Sequence, residues 1–165
     1  MIPCLLIFSF LFEAVFTNLI GINSFLTPLF LITTLTLIYP YFNNRNININ
    51  YIIVCLILGL FYDVAFADSI FVNTVSFGII GSIVILCYNY VKYNIYTSNI
   101  INIIVLITYR IITYIILLSI NHITFNNKIF FSGIYNSLLI NILYGIVMYY
   151  IIEIIAKLLN KKRVE

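Results

Sequence analysis

The segment GLFYDVAFADSIFVNTVSFG, residues 59–78, joins two apolar stretches of the chain through a short polar interruption. Asp63 and Asp68 are its two charged residues, and apolar residues predominate on both sides of them. Because charges are costly inside a bilayer, this interruption is expected at a membrane interface. The segment therefore predicts two membrane-spanning helices, over residues 51–66 and 69–90, joined by a short turn.

The composition of the whole chain indicates an integral membrane protein. Its 165 residues are 64% hydrophobic and only 8% charged, whereas a soluble domain is about 45–50% apolar and about 25% charged. The mean hydropathy of +1.15 agrees. High hydrophobicity excludes a disordered chain, and the scattered basic residues form no patch for nucleic acid.

Further polar interruptions divide the chain into six predicted spans, covering residues 2–20, 25–42, 51–66, 69–90, 99–120 and 133–159. Their apolar runs are continuous rather than alternating, which predicts helices rather than barrel strands. We therefore expect an all-α polytopic bundle of about six transmembrane helices, forming a single integral membrane domain over residues 1–165. Span three is the doubtful one, because a short helix that only dips into the membrane would reduce the count to five.

The distribution of basic residues predicts the orientation of the chain. With six spans both termini share one side, and that side collects Arg45, Lys92, Lys157, Lys161, Lys162 and Arg163, against Lys128 on the other. The positive-inside rule then places both termini in the cytoplasm. Tyrosines, which are enriched at membrane interfaces, fall near the same side: Tyr39, Tyr41, Tyr51, Tyr88, Tyr90, Tyr93, Tyr149 and Tyr150.

Two charged residues, Glu13 and Arg110, fall in the middle of predicted spans. Each lies about 11 residues from the cytoplasmic start of its span, which corresponds to a depth of about 16 Å. Matched depth and opposite charge predict an interhelical ion pair, and a double charge swap should then restore what a single reversal impairs. The alternative is that each side chain meets separate polar partners.

Spans four and six carry small or polar residues at intervals of three or four, which let another helix approach closely in lipid. These residues are Thr74, Gly78, Gly81 and Ser82 in span four, and Ser137, Asn141 and Gly145 in span six. The neighbouring helix is either internal or part of another protein. Asn141 is expected to hydrogen-bond across helices, an interaction worth about 0.6–2 kcal/mol.

The sequence predicts no metal site, no cofactor and no enzymatic activity. Cys4, Cys55 and Cys87 are far apart and form no Cys/His cluster. Asp63 and Asp68, five residues apart, do not share one face of a helix. The motifs of intramembrane aspartyl proteases and of lipoprotein signal peptidase are missing, so a membrane hydrolase is the least favoured alternative. Asp63 is interpreted instead as a cap for the segment that follows it.

The Gly59-x-x-x-Asp63 pattern at the end of one span, followed by a short turn and a new span, resembles the central signature of the bacterial rod shape-determining protein family MreD. The order of the spans, Pro28 and Pro40 around span two, Asn141 in the last span and a basic tail extend the resemblance over nearly the whole chain. One departure is Ile70-Phe71, where the family commonly has Leu-Gly.

The resemblance implies a fold similar to the substrate-binding components of energy-coupling-factor transporters. It also implies an MreC-like single-span partner and, through that partner, an MreB-like filament and peptidoglycan synthases. The expected function is that of a non-catalytic scaffold for cell shape and peptidoglycan synthesis in the bacterial cytoplasmic membrane. A vitamin-binding transporter component is the alternative, although Ala14 lacks the second alanine of the usual docking motif and Asn18 stands there.

Overall fold

The structure, a computed structural model, describes residues 2–20, 28–42, 47–66, 71–121, 124 and 126–161. All regular elements in these ranges are helices. They are α1 (Ile2–Ile20), α2 (Phe30–Ile38), a 3₁₀ turn (Tyr39–Tyr41), α3 (Ile47–Phe66), α4 (Val72–Tyr90), α5 (Ile95–Ser119) and α6 (Asn127–Lys161).

The described helices other than α2 are long and apolar enough to cross a membrane. There are five of them, with mean hydropathies between 1.6 and 2.2 over the apolar windows. Large apolar side chains cover their outward faces, as helices in contact with lipid require. The chain is therefore a multi-pass helical membrane protein.

The five long helices form a ring around α2. Helix α3 packs along α4, α4 along α5, and α5 along α6, while α2 contacts α1, α5 and α6. Helix α1 closes the ring on both sides. The Phe10 ring lies 5.4 Å from that of Phe66 on α3, and the Ser9 hydroxyl lies 2.9 Å from that of Tyr144 on α6.

The central helix α2 is enclosed on every side, and it is shorter than the predicted span 25–42. Each residue from Phe30 to Ile38 is at most 2% exposed. Together with the 3₁₀ turn the segment measures about 18 Å, well short of the ~30 Å of a bilayer core. A helix enclosed by protein need not match the bilayer, since other side chains can satisfy its ends. The short helix is thus the second predicted span rather than the third.

Helix α3, expected to be the doubtful span, has 20 residues and is long enough to cross. It begins at Ile47, so residues 47–50, which the prediction left between spans two and three, are helical. Helix α5 begins at Ile95 rather than 99 because Asn94 and Thr97 form a capping box around its first turn. Helix α6 begins at Asn127 rather than 133.

Tyrosines pack together at one end of the bundle, as predicted from their positions in the sequence. The rings of Tyr39 and Tyr51 lie 4.9 Å apart, those of Tyr39 and Tyr88 5.7 Å, and those of Tyr93 and Tyr149 5.2 Å. We call this the tyrosine end. The opposite end, where α2 and α4 begin, is called the capping end.

Candidate functional site

Asp63, near the end of α3, holds the start of α4. Its Oδ1 accepts a hydrogen bond from the backbone N–H of Asn73 at 2.9 Å. Its Oδ2 accepts from the Thr74 N–H at 2.9 Å and from the Thr74 hydroxyl at 2.6 Å. The N-cap residue of α4 is Phe71, with φ of 73° and no capping hydrogen bond of its own. The prediction that Asp63 caps the following segment is confirmed.

Gly59 allows this contact by bringing the backbones of α3 and α4 together. A Cβ atom at Gly59 would lie 2.7 Å from the Cα of Thr74 and 3.0 Å from the carbonyl oxygen of Asn73. Gly59 and Asp63 lie on the same buried face of α3 because they are four residues apart. The Gly-x-x-x-Asp spacing therefore couples a close helix approach to a cap one turn later.

Glu13 of α1 plays the same part at the start of α2. Its Oε2 accepts a hydrogen bond from the Leu31 N–H at 2.9 Å, and its Oε1 accepts from the Tyr62 hydroxyl at 2.6 Å. The Leu29 N–H donates to Oδ1 of Asn141 on α6 at 2.8 Å, which confirms the predicted interhelical bond of Asn141. The first turn of α2 is thus held by two ring helices.

The direct Glu13–Arg110 ion pair predicted from matched depth is not formed. No nitrogen of Arg110 lies within 4.0 Å of a Glu13 oxygen, and the ion pair within the described residues is Lys157–Glu153 at 2.7 Å. Arg110 acts on Glu13 only at longer range. The reason is that the N–H groups of α2 need an acceptor where water is absent. For Glu13, the alternative of separate polar partners is correct.

Two tyrosines join the capped helix starts into one buried group. The Tyr109 hydroxyl donates to Oδ1 of Asn73 at 2.6 Å. The Phe77 ring lies between Tyr109 and Tyr62, with centroid distances of 5.9 and 5.5 Å. We call Glu13, Tyr62, Asp63, Asn73 and Tyr109 the capping cluster. The sequence analysis did not identify Tyr62, Tyr109 or Asn73 as part of this group. The available signal was that Leu29 and Phe71, which precede α2 and α4, cannot cap a helix, so that other side chains must do so.

The small-residue face of α4 packs inside the protein, against α3. A Cβ at Gly78 would lie 2.9 Å from Cδ2 of Leu56, and one at Gly81 would lie 2.9 Å from Sγ of Cys55. Of the other two candidates, Thr74 bonds Asp63 and Ser82 is exposed. A partner helix on Gly78 and Gly81 is therefore excluded, because α3 already covers them.

The corresponding face of α6 is internal as well. Ser137 is buried and donates to the Ile134 carbonyl at 2.8 Å. A Cβ at Gly145 would lie 3.2 Å from Nδ2 of Asn102 and 3.4 Å from Cγ2 of Thr33. Gly145 thus packs against α2 and α5, and Asn141 reaches the residue before α2.

The capping cluster satisfies backbone N–H groups and fixes helices, and its two carboxylates are occupied in doing so. Within the described ranges, no three His, Cys, Asp or Glu residues are grouped as metal ligands would be. Asp68, the second residue of the proposed aspartate pair, lies outside the described residues.

No protein-family model, curated protein or solved structure matches this chain. The functional proposal therefore rests on the geometry of the capping cluster and of the lipid-facing helices.

Proposed function

We propose that this chain is a non-catalytic membrane scaffold of the MreD type that binds an MreC-like single-span partner within the bilayer. The observation that carries the proposal is the use of Glu13 and Asp63 as helix caps. A general base must reach the proton that it abstracts, whereas these oxygens are already bonded to buried donors. The cluster supports a rigid bundle rather than turnover.

The resemblance to MreD rests on residues that now have linked physical roles. Gly59 permits the approach of α4, and Asp63 caps it. If α2 is counted as a short sixth helix, the chain returns to the tyrosine end before α3 begins. This count supports the proposed likeness to energy-coupling-factor substrate-binding components, with Ile2 and the end of α6 at the tyrosine end and both termini in the bacterial cytoplasm. An MreC-like partner would connect the chain to an MreB-like filament and to peptidoglycan synthases.

The outer face of α1 is the surface that we propose for the partner helix. Helix α1 packs on α2 through a stripe that includes Ser9 and Glu13, both buried. Its exposed side includes Phe8, which is 53% exposed and whose ring stacks on that of Phe12 at 5.7 Å, while the Phe12 and Phe16 rings also contact Phe30 of α2. Helix association in lipid depends on packing, and rings already stacked on one another lose little freedom when a helix covers them.

Co-purification of the full chain with an MreC-like partner tests this proposal. Phe8→Ala should reduce recovery of the partner about fivefold, equivalent to about 1 kcal/mol of interhelical packing. Leu139→Ala on α6 is the matched control, because Leu139 is 59% exposed and Phe8 53%. Equal recovery of the partner with both variants would show that the α1 face does not bind it. Failure to recover the partner with the unaltered chain would refute the scaffold function.

A further inference from the structure

Arg110 of α5 is a cation without a partner in the described part of the protein. Its guanidinium makes no hydrogen bond or ion pair there, and its Nε is enclosed without an acceptor. A guanidinium carries five N–H donors, and a buried charge without a counter-charge is costly. The side chain as a whole is only partly buried, so a ligand can reach the rest of the guanidinium.

The carboxylates of the described residues are all engaged elsewhere. Glu13 holds the start of α2, and Asp63 caps α4. Glu153 forms its ion pair near the end of α6, at the tyrosine end. The remaining two of the five acidic residues, Asp68 and Glu165, lie outside the described residues. The guanidinium therefore lacks an acceptor among the carboxylates that surround it in the ring.

Arg110 lies on the inner side of α5, beside the capping cluster. Its charge acts on Glu13 of α1 and on Tyr62 of α3, across the ring from α5, as well as on the adjacent Tyr109. Helix α2 fills the ring toward the tyrosine end, because its residues are at most 2% exposed. A ligand can therefore approach Arg110 from the capping end.

The bundle is short on one side at the level of Arg110. Tyr109 bonds Asn73, the second residue of α4, so α4 begins near this level. Helix α5 continues from Arg110 to Ser119, about 14 Å further along its axis. A bilayer thins beside helices that are too short for it. Lipid headgroups beside the start of α4 are thereby brought toward the level of the guanidinium.

A phosphate group matches the donors of Arg110. The guanidinium fork binds phosphate oxygens in pairs, through two parallel hydrogen bonds. Basic sites between transmembrane helices bind phospholipid headgroups in this way. One phosphate would supply the missing acceptors and also neutralise the charge.

We propose that Arg110 binds a phosphate group at the capping end of the ring, supplied by a phospholipid headgroup or by a soluble phosphate. The guanidinium would donate to two of its oxygens. This binding goes beyond the scaffold function and is independent of it, because it uses neither the outer face of α1 nor a partner helix.

Native mass spectrometry of the full chain in detergent, titrated with phosphatidylglycerol, tests the proposal. We expect bound lipid, with an affinity that Arg110→Gln lowers about tenfold. Arg110→Lys keeps the charge without the fork and should lose less. Lys128→Gln removes an exposed charge at the same end of the bundle and is the matched control, with little loss expected. Diacylglycerol, which lacks the phosphate, should not be retained.

Isothermal titration calorimetry with inorganic phosphate distinguishes the two sources. Saturable binding that Arg110→Gln weakens would assign a soluble phosphate, whereas lipid retention that depends on Arg110, without binding of inorganic phosphate, would assign the headgroup. The proposal is overturned if neither ligand binds, or if Arg110→Gln and Lys128→Gln lower the lipid affinity equally.

Thermal unfolding in lipid-free detergent tests whether Arg110 has a partner within the chain. Because its guanidinium makes no hydrogen bond among the described residues, Arg110→Gln should melt no lower than the unaltered protein. A drop in melting temperature that Asp68→Asn reproduces would show that these two residues pair with each other, and would overturn the assignment. If Arg110→Gln does not fold, Arg110→Lys takes its place in the lipid titration.

Discussion

At the scale of the residue, the unusual feature is that two helices are capped by carboxylates from other helices. Helices α2 and α4 begin after Leu29 and Phe71, which make no side-chain cap. Glu13 and Asp63 supply the missing acceptors. The first N–H groups of a helix attract negative charge, and inside a bilayer water cannot replace these acceptors. Each carboxylate is therefore part of the framework.

Replacing Asp63 by alanine should lower the free energy of unfolding by about 3 kcal/mol, since two buried N–H groups and one hydroxyl lose their acceptor. Equilibrium unfolding in mixed micelles measures the loss. Glu153→Ala is the control, because Glu153 pairs with an exposed Lys157 and such pairs contribute little. A loss for Asp63→Ala no larger than that of the control would contradict the capping role.

Exchanging the charges of Glu13 and Arg110 should fail to restore folding. Arginine at position 13 has no acceptor for the Leu31 N–H or the Tyr62 hydroxyl, both of which bond the carboxylate. Glu13→Gln keeps one carbonyl acceptor and should be the mildest change. The yield of monodisperse protein ranks the variants. Recovery of the double swap to the level of the unaltered chain would show that charge pairing is what matters.

At the scale of the element, the fold depends on how closely neighbouring helices approach. Helices α3 and α4 are the closest where Gly59 faces Thr74 and where Gly81 faces Cys55. These contacts exclude side chains larger than hydrogen on one helix, so they also fix the register between the two helices. That register sets Asp63 beside the start of α4.

Gly59→Ala and Gly133→Ala form a matched pair that tests this register. A methyl group at Gly59 would meet backbone atoms at 2.7 and 3.0 Å, whereas nothing lies within 4 Å of one at Gly133. We expect Gly59→Ala to destabilise by about 1–3 kcal/mol and Gly133→Ala to be neutral or to stabilise by up to about 1 kcal/mol. Thermal unfolding compares them, and equal melting temperatures would contradict the close approach.

Element by element, sequence reasoning located the long helices well and misjudged α2. The bounds of α1 and the end of α4 at Tyr90 agree with the predicted spans 2–20 and 69–90. Residues 30–38 are apolar apart from threonines, and that pattern is the same for a lipid-facing span and for a helix enclosed in a ring. Only the packing of the other helices distinguishes the two.

The candidate site was predictable only where a side chain carried the signal. The Asp63 cap and the Asn141 bond were expected from residue type and position, and both form. The partners of Glu13 were not, because the backbone N–H groups of α2 leave no mark in the sequence. Arg110, the other mid-span charge, therefore seemed the natural partner of Glu13.

At the scale of the whole molecule, a ring of long helices surrounds a short one. The polar side chains of the capping cluster lie inside, and large apolar side chains cover the outside. Because successive helices from α1 to α6 run in alternating directions, Ile2 and the end of α6 both lie at the tyrosine end. Reporter fusions at the two termini should therefore both report the cytoplasm, which is also what the predicted distribution of basic residues indicates. If the two reporters were found on opposite sides of the membrane, α2 would not bring the chain back to the side on which α1 begins.

Association within a bilayer tests the central claim most directly. The full chain, reconstituted in nanodiscs and labelled with a donor fluorophore, is titrated with an acceptor-labelled transmembrane segment of an MreC-like protein. The scaffold account predicts saturable energy transfer that a scrambled segment of the same composition does not produce. Equal transfer with the native and the scrambled segment would contradict it.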